Sequence, residues 1–366
     1  MIIKQIPEDF IVEEIPLFTN LLDKGDYQIF LLEKKDYDTE KVIQKLSEIF
    51  KIHRKFFSYA GNKDRKAITR QYFSIKTNKK INNLERDFFK IKFLGFYNEP
   101  ISLGCLKGNK FTITIRDLSK KEMDFLLAKL YNKKNSHKNI DFINYFDEQR
   151  FSKNNYEIGY SLIKKDFKRA SELIDSNEVK KYLTLNKNDY VGAIKKMPFN
   201  ILTMYINSVQ SYLFNEFCAE YIKKKVKSYF EVDYHLGETK KKIIKKFVFT
   251  NEKIENIEVP LISFDTSFEK KEITEIYEKI LKRENILLSD FVIRQIPDLT
   301  AFGSYRDLIT SASDINVLDY GVDDLKNNLE KESKIEKKKI KISFTLSKGS
   351  YATIFIKFLF SSKDFL

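Results

Sequence analysis

Apolar and polar residues alternate most cleanly late in this chain. Ile340, Ile342, Phe344 and Leu346 alternate with Lys339, Lys341, Ser343 and Thr345, which predicts a strand with one buried and one wetted face. The same period of two runs through Phe111, Ile113 and Ile115 in a strand over 110–116, with a turn predicted at 104–109 before it. Phe10, Val12 and Glu14 alternate after a Pro7-Glu8-Asp9 turn, a short strand expected to carry its acids on a partly solvated face. Further strands are predicted over 27–33 and 91–97. Between them the period becomes helical. Asp38 and Thr39 cap a helix through Phe50, with Val42, Leu46, Ile49 and Phe50 on one face, and Ser119-x-x-Glu122 is a capping box opening a helix to about Tyr131. Strands interleaved with helices predict an α+β fold with an extended mixed or antiparallel sheet.

From about Asn154 the pattern is mainly helical, over 164–183, 198–225 and 269–283. The second of these carries Leu202, Ile206, Val209, Leu213, Phe214, Phe217 and Tyr221 as a core-facing stripe, with Gln210, Ser211 and Asn215 among them. Ser347 to Ser350 turns into a last helix over 351–360. Because the strand at 340–346 pairs naturally with the sheet of the first portion, the pattern predicts a discontinuous domain, 1–155 plus 301–366, split by an inserted lobe at 156–300.

Composition narrows the class. With 366 residues, 42% of them hydrophobic, a packed globular protein is expected. Lys and Arg number 66 against 52 Asp and Glu, a net +14 that points to a polyanionic partner, nucleic acid first. The Lys-rich runs Lys223-Lys224-Lys225 and Lys240-Lys241-Lys242 are candidate docking charge, or solubilising charge only. Cys105 and Cys218 lie far apart beside apolar residues and read as reduced thiols of an intracellular protein. His53, His137 and His235 form no zinc-ligand spacing with them, so no metal is expected. No apolar run approaches a membrane span and no secretory h-region opens the chain, so a cytoplasmic protein is expected.

Two stretches carry candidate chemistry. In Ser58 to Gln71, Asp64 sits in a Gly61-Asn62 turn among Lys63, Arg65, Lys66 and Arg70. A carboxylate crowded by cations suits a nucleophile or base, though a solvated charged turn has the same composition. In Asn144-Tyr145-Phe146-Asp147-Glu148-Gln149-Arg150-Phe151, aromatics interleaved with an amide and a guanidinium suit stacking on a base and gripping a phosphate. A core segment with Tyr145 and Phe151 buried is the other reading of the same residues.

In order along the chain, several motifs resemble those of the TruD family of tRNA pseudouridine synthases. They are Lys4-x-x-Pro7-Glu8-Asp9-Phe10-x-Val12-x-Glu14, Gly61-x-Lys63-Asp64-x-x-Ala67-x-Thr69-x-Gln71 and Gly104-x-Leu106-x-Gly108-Asn109-x-Phe111. Asn144-Tyr145-Phe146-x-x-Gln149-Arg150-Phe151, Ser211-x-Leu213-Phe214-Asn215 and Leu346-x-x-Gly349-Ser350-Tyr351-Ala352-Thr353 follow, so the resemblance runs from residue 4 to about 360. The family commonly has glycine where this chain has Asp147 and Ser152. The resemblance implies a pseudouridine-synthase fold, a mixed and mainly antiparallel sheet with flanking helices and a central cleft, with a family-specific α+β domain inserted. It implies isomerisation of uridine in tRNA, usually uridine 13 of the D arm, without metal or organic cofactor. Asp64 matches the family's catalytic aspartate, attacking C1′ or taking the C2′ proton. Lys4 matches its basic partner, Phe146 the residue stacking on the flipped base, and Asn144 a hydrogen-bonding neighbour. Phosphate contact falls to Arg150 and to the cations Lys63, Arg65, Lys66, Arg70, Lys223, Lys224 and Lys225. A non-catalytic RNA-binding protein would share the charge and the aromatics, but gives no reason for Asp64, Lys4 and Phe146 together. A zinc deaminase lacks its ligands here, whereas a DNA glycosylase could use an aspartate and would leave an abasic sugar.

Overall fold

The structure, a computed structural model, describes residues 1–18, 20–131, 139–237, 243–325 and 336–361. His137, Lys240, Lys241 and Lys242 lie outside the described residues. The strands are β1 (Phe10–Pro16), β2 (Tyr27–Lys35), β3 (Phe57–Tyr59), β4 (Ile68–Lys76), β5 (Leu84–Arg86), β6 (Phe89–Tyr97), β7 (Leu106–Leu118), β8 (Ile140–Ile143), β9 (Phe230–Leu236), β10 (Ile243–Phe249), β11 (Glu258–Leu261), β12 (Ser304–Asp307), β13 (Ile309–Val322) and β14 (Lys338–Ser347). The helices are α1 (Thr39–Phe50), α2 (Lys120–Leu130), α3 (Asn155–Ile163), α4 (Phe167–Leu173), α5 (Asn177–Leu185), α6 (Tyr190–Ile194), α7 (Phe199–Lys225), α8 (Lys271–Arg283) and α9 (Ala352–Phe360). The chain divides into two compact units, Met1–Asp141 with Ser311–Ala352, and Phe142–Thr310 with Thr353–Leu366.

The first unit is built on a sheet in the order β5-β6-β2-β4-β1-β7-β14-β13-β8, with β3 also on β4. β1 runs parallel to β4 and antiparallel to β7, so the sheet is mixed and mainly antiparallel. α1 covers one face. Its Asp38 cap accepts from Lys41 N at 3.1 Å, and Val42, Ile43 and Leu46 pack on Phe30, Leu32, Phe73, Ile75 and Ile91. This face is centred on Val42 and Ile43, which turns Ile49 outward, contrary to the sequence expectation. β14 lies along β7 with Phe344 opposite Phe111 and Ile342 opposite Ile113, and the two phenyl rings stack at 5.6 Å. Its alternation is as expected: Ile340, Ile342, Phe344 and Leu346 are buried.

Two differences from the sequence reading concern strand ends. β7 already begins at Leu106, so Gly108 and Asn109 are strand rather than turn. A Cβ on Gly108 would lie 2.2 Å from the Leu346 carbonyl oxygen, so the glycine serves the close approach of β14. Glu14 shares the inward face of β1 with Phe10 and Val12 and is buried, not solvated.

In the second unit α7 is buried along most of its length, including every residue of the expected stripe. α3 crosses it where Gly159 meets Tyr205, and a Cβ there would sit 2.1 Å from the Tyr205 carbonyl oxygen. The helix expected over 164–183 is two short helices, α4 and α5, following α3. Asp166 caps α4 by accepting from Arg169 N, Ser176 caps α5 by accepting from Val179 N, and Lys165 turns the chain at φ 61°. Short polar side chains that bind nearby N–H groups end helices in this way. The units divide at 141/142, 310/311 and 352/353. Segment 142–155 goes with the second unit because the Tyr145 hydroxyl donates to Val248 O and accepts from Val248 N, both at 3.0 Å. Among the described residues no helix is long and apolar enough to cross a membrane.

Candidate active site

The Gly61–Asp64 turn links β3 to β4 and is fixed from three sides. Gln71, buried in β4, donates from Nε2 to Gly61 O at 3.2 Å, and its Oε1 accepts from the Thr39 hydroxyl at 2.9 Å. Lys34, in β2 and only 1% exposed, donates from Nζ to the main-chain oxygen of Asp64 at 2.8 Å. Lys4 donates to Asp64 Oδ2 at 3.0 Å, while its amine lies 3.9 Å from the centroid of the Phe10 ring. The Asp64 side chain is 30% exposed, so an immobilised carboxylate remains open to a substrate.

Lys4 reaches Asp64 from a left-handed backbone, φ 62°, just ahead of the Pro7–Asp9 turn. Asp9 holds that turn by accepting from Ile6 N at 3.1 Å and from Arg116 Nε at 2.9 Å. Arg116 also donates to Asp323 Oδ1 at 2.9 Å and to Asp324 Oδ1 at 3.2 Å, so its buried guanidinium is held by three carboxylates. The Pro-Glu-Asp motif thus positions Lys4 rather than touching Asp64 itself.

The cations flanking Asp64 divide in two. Lys63 is ion-paired with Glu14 Oε1 at 2.9 Å and donates to Asn109 Oδ1 at 2.9 Å, and Glu14 Oε2 accepts from Tyr72 N at 2.8 Å. Burial pushes the Glu14 carboxyl up, against the pull of Lys63. Arg70 lies opposite Glu13 of β1 and Glu33 of β2 in the sheet register and pairs with both. Arg65 and Lys66 are exposed and have no ion pair among the described residues. Burial also lowers Lys34 to about 8, opposed by the charges of Asp38 and Asp64 and reinforced by Lys63. In the sequence Glu14 and Thr39 have no expected part in the site, and Lys34 does not stand out. Glu14 continues the inward series Phe10, Val12, and Lys34 the series Phe30, Leu32, so the alternation held a signal for both.

A second cluster lies in the second unit. Phe146 is 5% exposed and its peptide is clamped by one side chain, with Phe146 N donating to Asn215 Oδ1 at 2.9 Å and Asn215 Nδ2 donating to Phe146 O at 2.8 Å. Arg150 Nε donates to the Ser211 hydroxyl at 3.1 Å, and its guanidinium lies 5.3 Å from the Phe146 centroid. Phe214 meets the Phe146 ring edge-on at 5.5 Å. Thr353 donates to Asp147 Oδ2 at 2.6 Å and Lys357 to Asp147 Oδ1 at 3.0 Å. Asp147 has φ −81°, so this position demands no glycine, and Ser152 lies within a 3-10 turn. Tyr145 and Phe151 are core residues, as the alternative reading had it. Asn144 is buried and held: its N donates to Leu308 O, its Nδ2 to Asp307 O, and its Oδ1 accepts from Arg306. Segments 144–151, 211–215 and 353–357, far apart in sequence, meet here.

The Lys223–Lys225 run carries its own counter-charge. Lys223 pairs with Glu231 at 2.6 Å, Lys224 with Glu275 at 3.4 Å, and Lys225 with Glu272 at 2.8 Å.

Comparison with known proteins finds one family along the chain. Residues 1–181 and 175–358 match the family described as tRNA pseudouridine synthase D (TruD). The "Probable tRNA pseudouridine synthase D 1" of Methanococcus maripaludis is 30% identical, the match covering 98% of this chain and 99% of that protein. The "Probable tRNA pseudouridine synthase D" of Picrophilus torridus is 31% identical over 97% of this chain and 92% of its own. Among solved structures, the tRNA pseudouridine synthase D (TruD) homologue of Methanosarcina mazei superposes with a TM-score of 0.65 at 24% identity, covering 98% of this chain and 93% of that one, a likeness of fold.

Proposed function

The chain belongs to the tRNA pseudouridine synthase D (TruD) family, and from that premise we propose that it isomerises uridine 13 in the D arm of tRNA with Asp64 as the reacting carboxylate. The observation that carries this reading is the Asp64 turn, clamped by Lys34, Thr39 and Gln71, with a partly exposed carboxylate joined to Lys4. Isomerisation breaks the bond from C1′ to N1 of the base and forms one from C1′ to C5. N1 gains a proton, C5 loses one, and the reaction is redox-neutral. Asp64 acts at the sugar, on C1′ or on the C2′ proton, and a fixed carboxylate gains from not having to be oriented in the transition state. Phe146 takes the base while it is detached, and Asn144 supports it. No metal or organic cofactor enters the proposed reaction.

The catalytic part is assigned to 1–155 and 301–366, and tRNA contact to the inserted part, 156–300. Arg65 and Lys66 are the readiest phosphate ligands because no carboxylate among the described residues holds them; Lys63, Arg70, Arg150, Lys223, Lys224 and Lys225 are assigned the same role less directly. The test is carbodiimide mapping of tRNA incubated with the protein. A modified uridine at position 13 supports the reading. A modification elsewhere moves the site, and an abasic sugar in place of pseudouridine assigns a glycosylase instead.

A further inference from the structure

No motif of the sequence contains Arg306, yet it touches two residues of the second cluster at once. It extends from β12, opposite Val259 of β11. Its Nε donates to the main-chain oxygen of Asn144 at 2.9 Å, and its Nη2 donates to Asn144 Oδ1 at 2.6 Å. The same guanidinium lies over the Phe146 ring, 4.1 Å from the centroid, and 5.5 Å from that of Phe214. Only a flat fork can do this. Two of its N–H groups grip one residue in the plane, while its face covers an aromatic ring. A surface arginine resting on apolar carbon would have no need to bond both oxygens of a single asparagine.

We propose that Arg306 is a positioning residue that fixes the Phe146 ring and the Asn144 amide as one rigid piece for the substrate base. This rests on the reading that Phe146 stacks on the base. Asn215 holds the Phe146 peptide, Tyr145 is anchored on Val248 and Asn144 N donates to Leu308 O, so the bond from Arg306 to Asn144 O is one of several that set the backbone of 144–146. What Arg306 adds is the orientation of the two side chains. Misplacing a stacking partner slows the chemical step without weakening the many phosphate contacts that hold the RNA.

The experiment compares Arg306→Ala, Arg306→Lys, Phe146→Ala and the double variant Arg306→Ala/Phe146→Ala in the full chain, with tRNA as substrate. Thermal melts accompany the kinetics; Arg306→Lys keeps the charge and most of the stem, and serves if the alanine variant does not fold. Both Arg306 variants are expected to lose about 10- to 100-fold in kcat, with KM and the salt dependence of binding little changed. Arg306→Ala should cost little more once Phe146 is already alanine. Wild-type or faster turnover in Arg306→Ala would make the guanidinium a mere place-holder on the ring and overturn the proposal. So would a loss confined to KM with the salt slope falling by about one unit, the mark of a phosphate contact. An active Phe146→Ala overturns the stacking reading itself; an impaired Phe146→Ala beside a normal Arg306→Ala overturns only the role of Arg306.

Discussion

An amine taken out of water loses its preference for the charged form, and Lys34 is such an amine, placed directly beneath the Asp64 peptide. Its value in the folded chain, about 8, lies below the ordinary 10.5. Between those two values the unfolded chain holds a proton that the folded chain has released, so stability rises with pH across this window and is insensitive to Lys34 below it. Lys34→Met should therefore flatten the rise of unfolding free energy between pH 8 and 10, by at most about 1.4 kcal/mol per pH unit. Urea melts of both proteins at several pH values measure it, and parallel curves would show that Lys34 does not titrate there. At Asp64 the expectation concerns turnover. Asp64→Asn keeps the shape and removes the carboxylate, so turnover should collapse while tRNA binding persists. A rate within about tenfold of wild type, 1.4 kcal/mol in barrier, would leave the aspartate without its proposed part.

The elements meet most closely at glycines. Gly159 lets α3 lie against α7, and Gly108 lets β7 lie against β14. Gly159→Ala should destabilise the protein by about 1–3 kcal/mol through backbone displacement, although alanine is the better helix former. A thermal melt reads this as a drop of a few degrees, and an unchanged or raised midpoint would mean the crossing relaxes freely. Elements were legible in the sequence where period and cap agreed: α1 with its Asp38 cap, α2 with its Ser119–Glu122 box, and α7 with its long stripe. They were not legible where a capping side chain lay inside a helical pattern, as Asp166 and Ser176 do. At the site, Asp64, Lys4 and Phe146 stood out through motifs. Glu14 and Lys34 were hidden because an inward position was expected to be apolar, and Arg306 because neither period nor motif reports what a side chain reaches across the fold.

On the scale of the whole molecule, charge is distributed less simply than a net of +14 suggests. Lys223, Lys224 and Lys225 face Glu231, Glu272 and Glu275, so each lysine would leave a carboxylate to meet a phosphate. Replacing the three by Gln should lower the slope of log affinity against log salt by less than the roughly three units that three unpaired lysines would contribute. Binding isotherms at three salt concentrations test this; an unmoved slope would assign docking to Arg65 and Lys66 instead. The alternation of 340–346 revealed that the late strand rejoins the early sheet, and that pairing sets a timetable. β7 offers Phe111, Ile113 and Ile115 as soon as it is made, but its partner Phe344 follows only after the chain from 118 to 338, 220 residues, has been added. At ribosomal speeds of about 5–20 residues per second, that is a wait of roughly 10–45 s. For that interval an apolar strand edge stands open to any other nascent chain, a template for aggregation. A ribosome that stops anywhere between residues 142 and 310 therefore releases a first unit whose sheet was never closed.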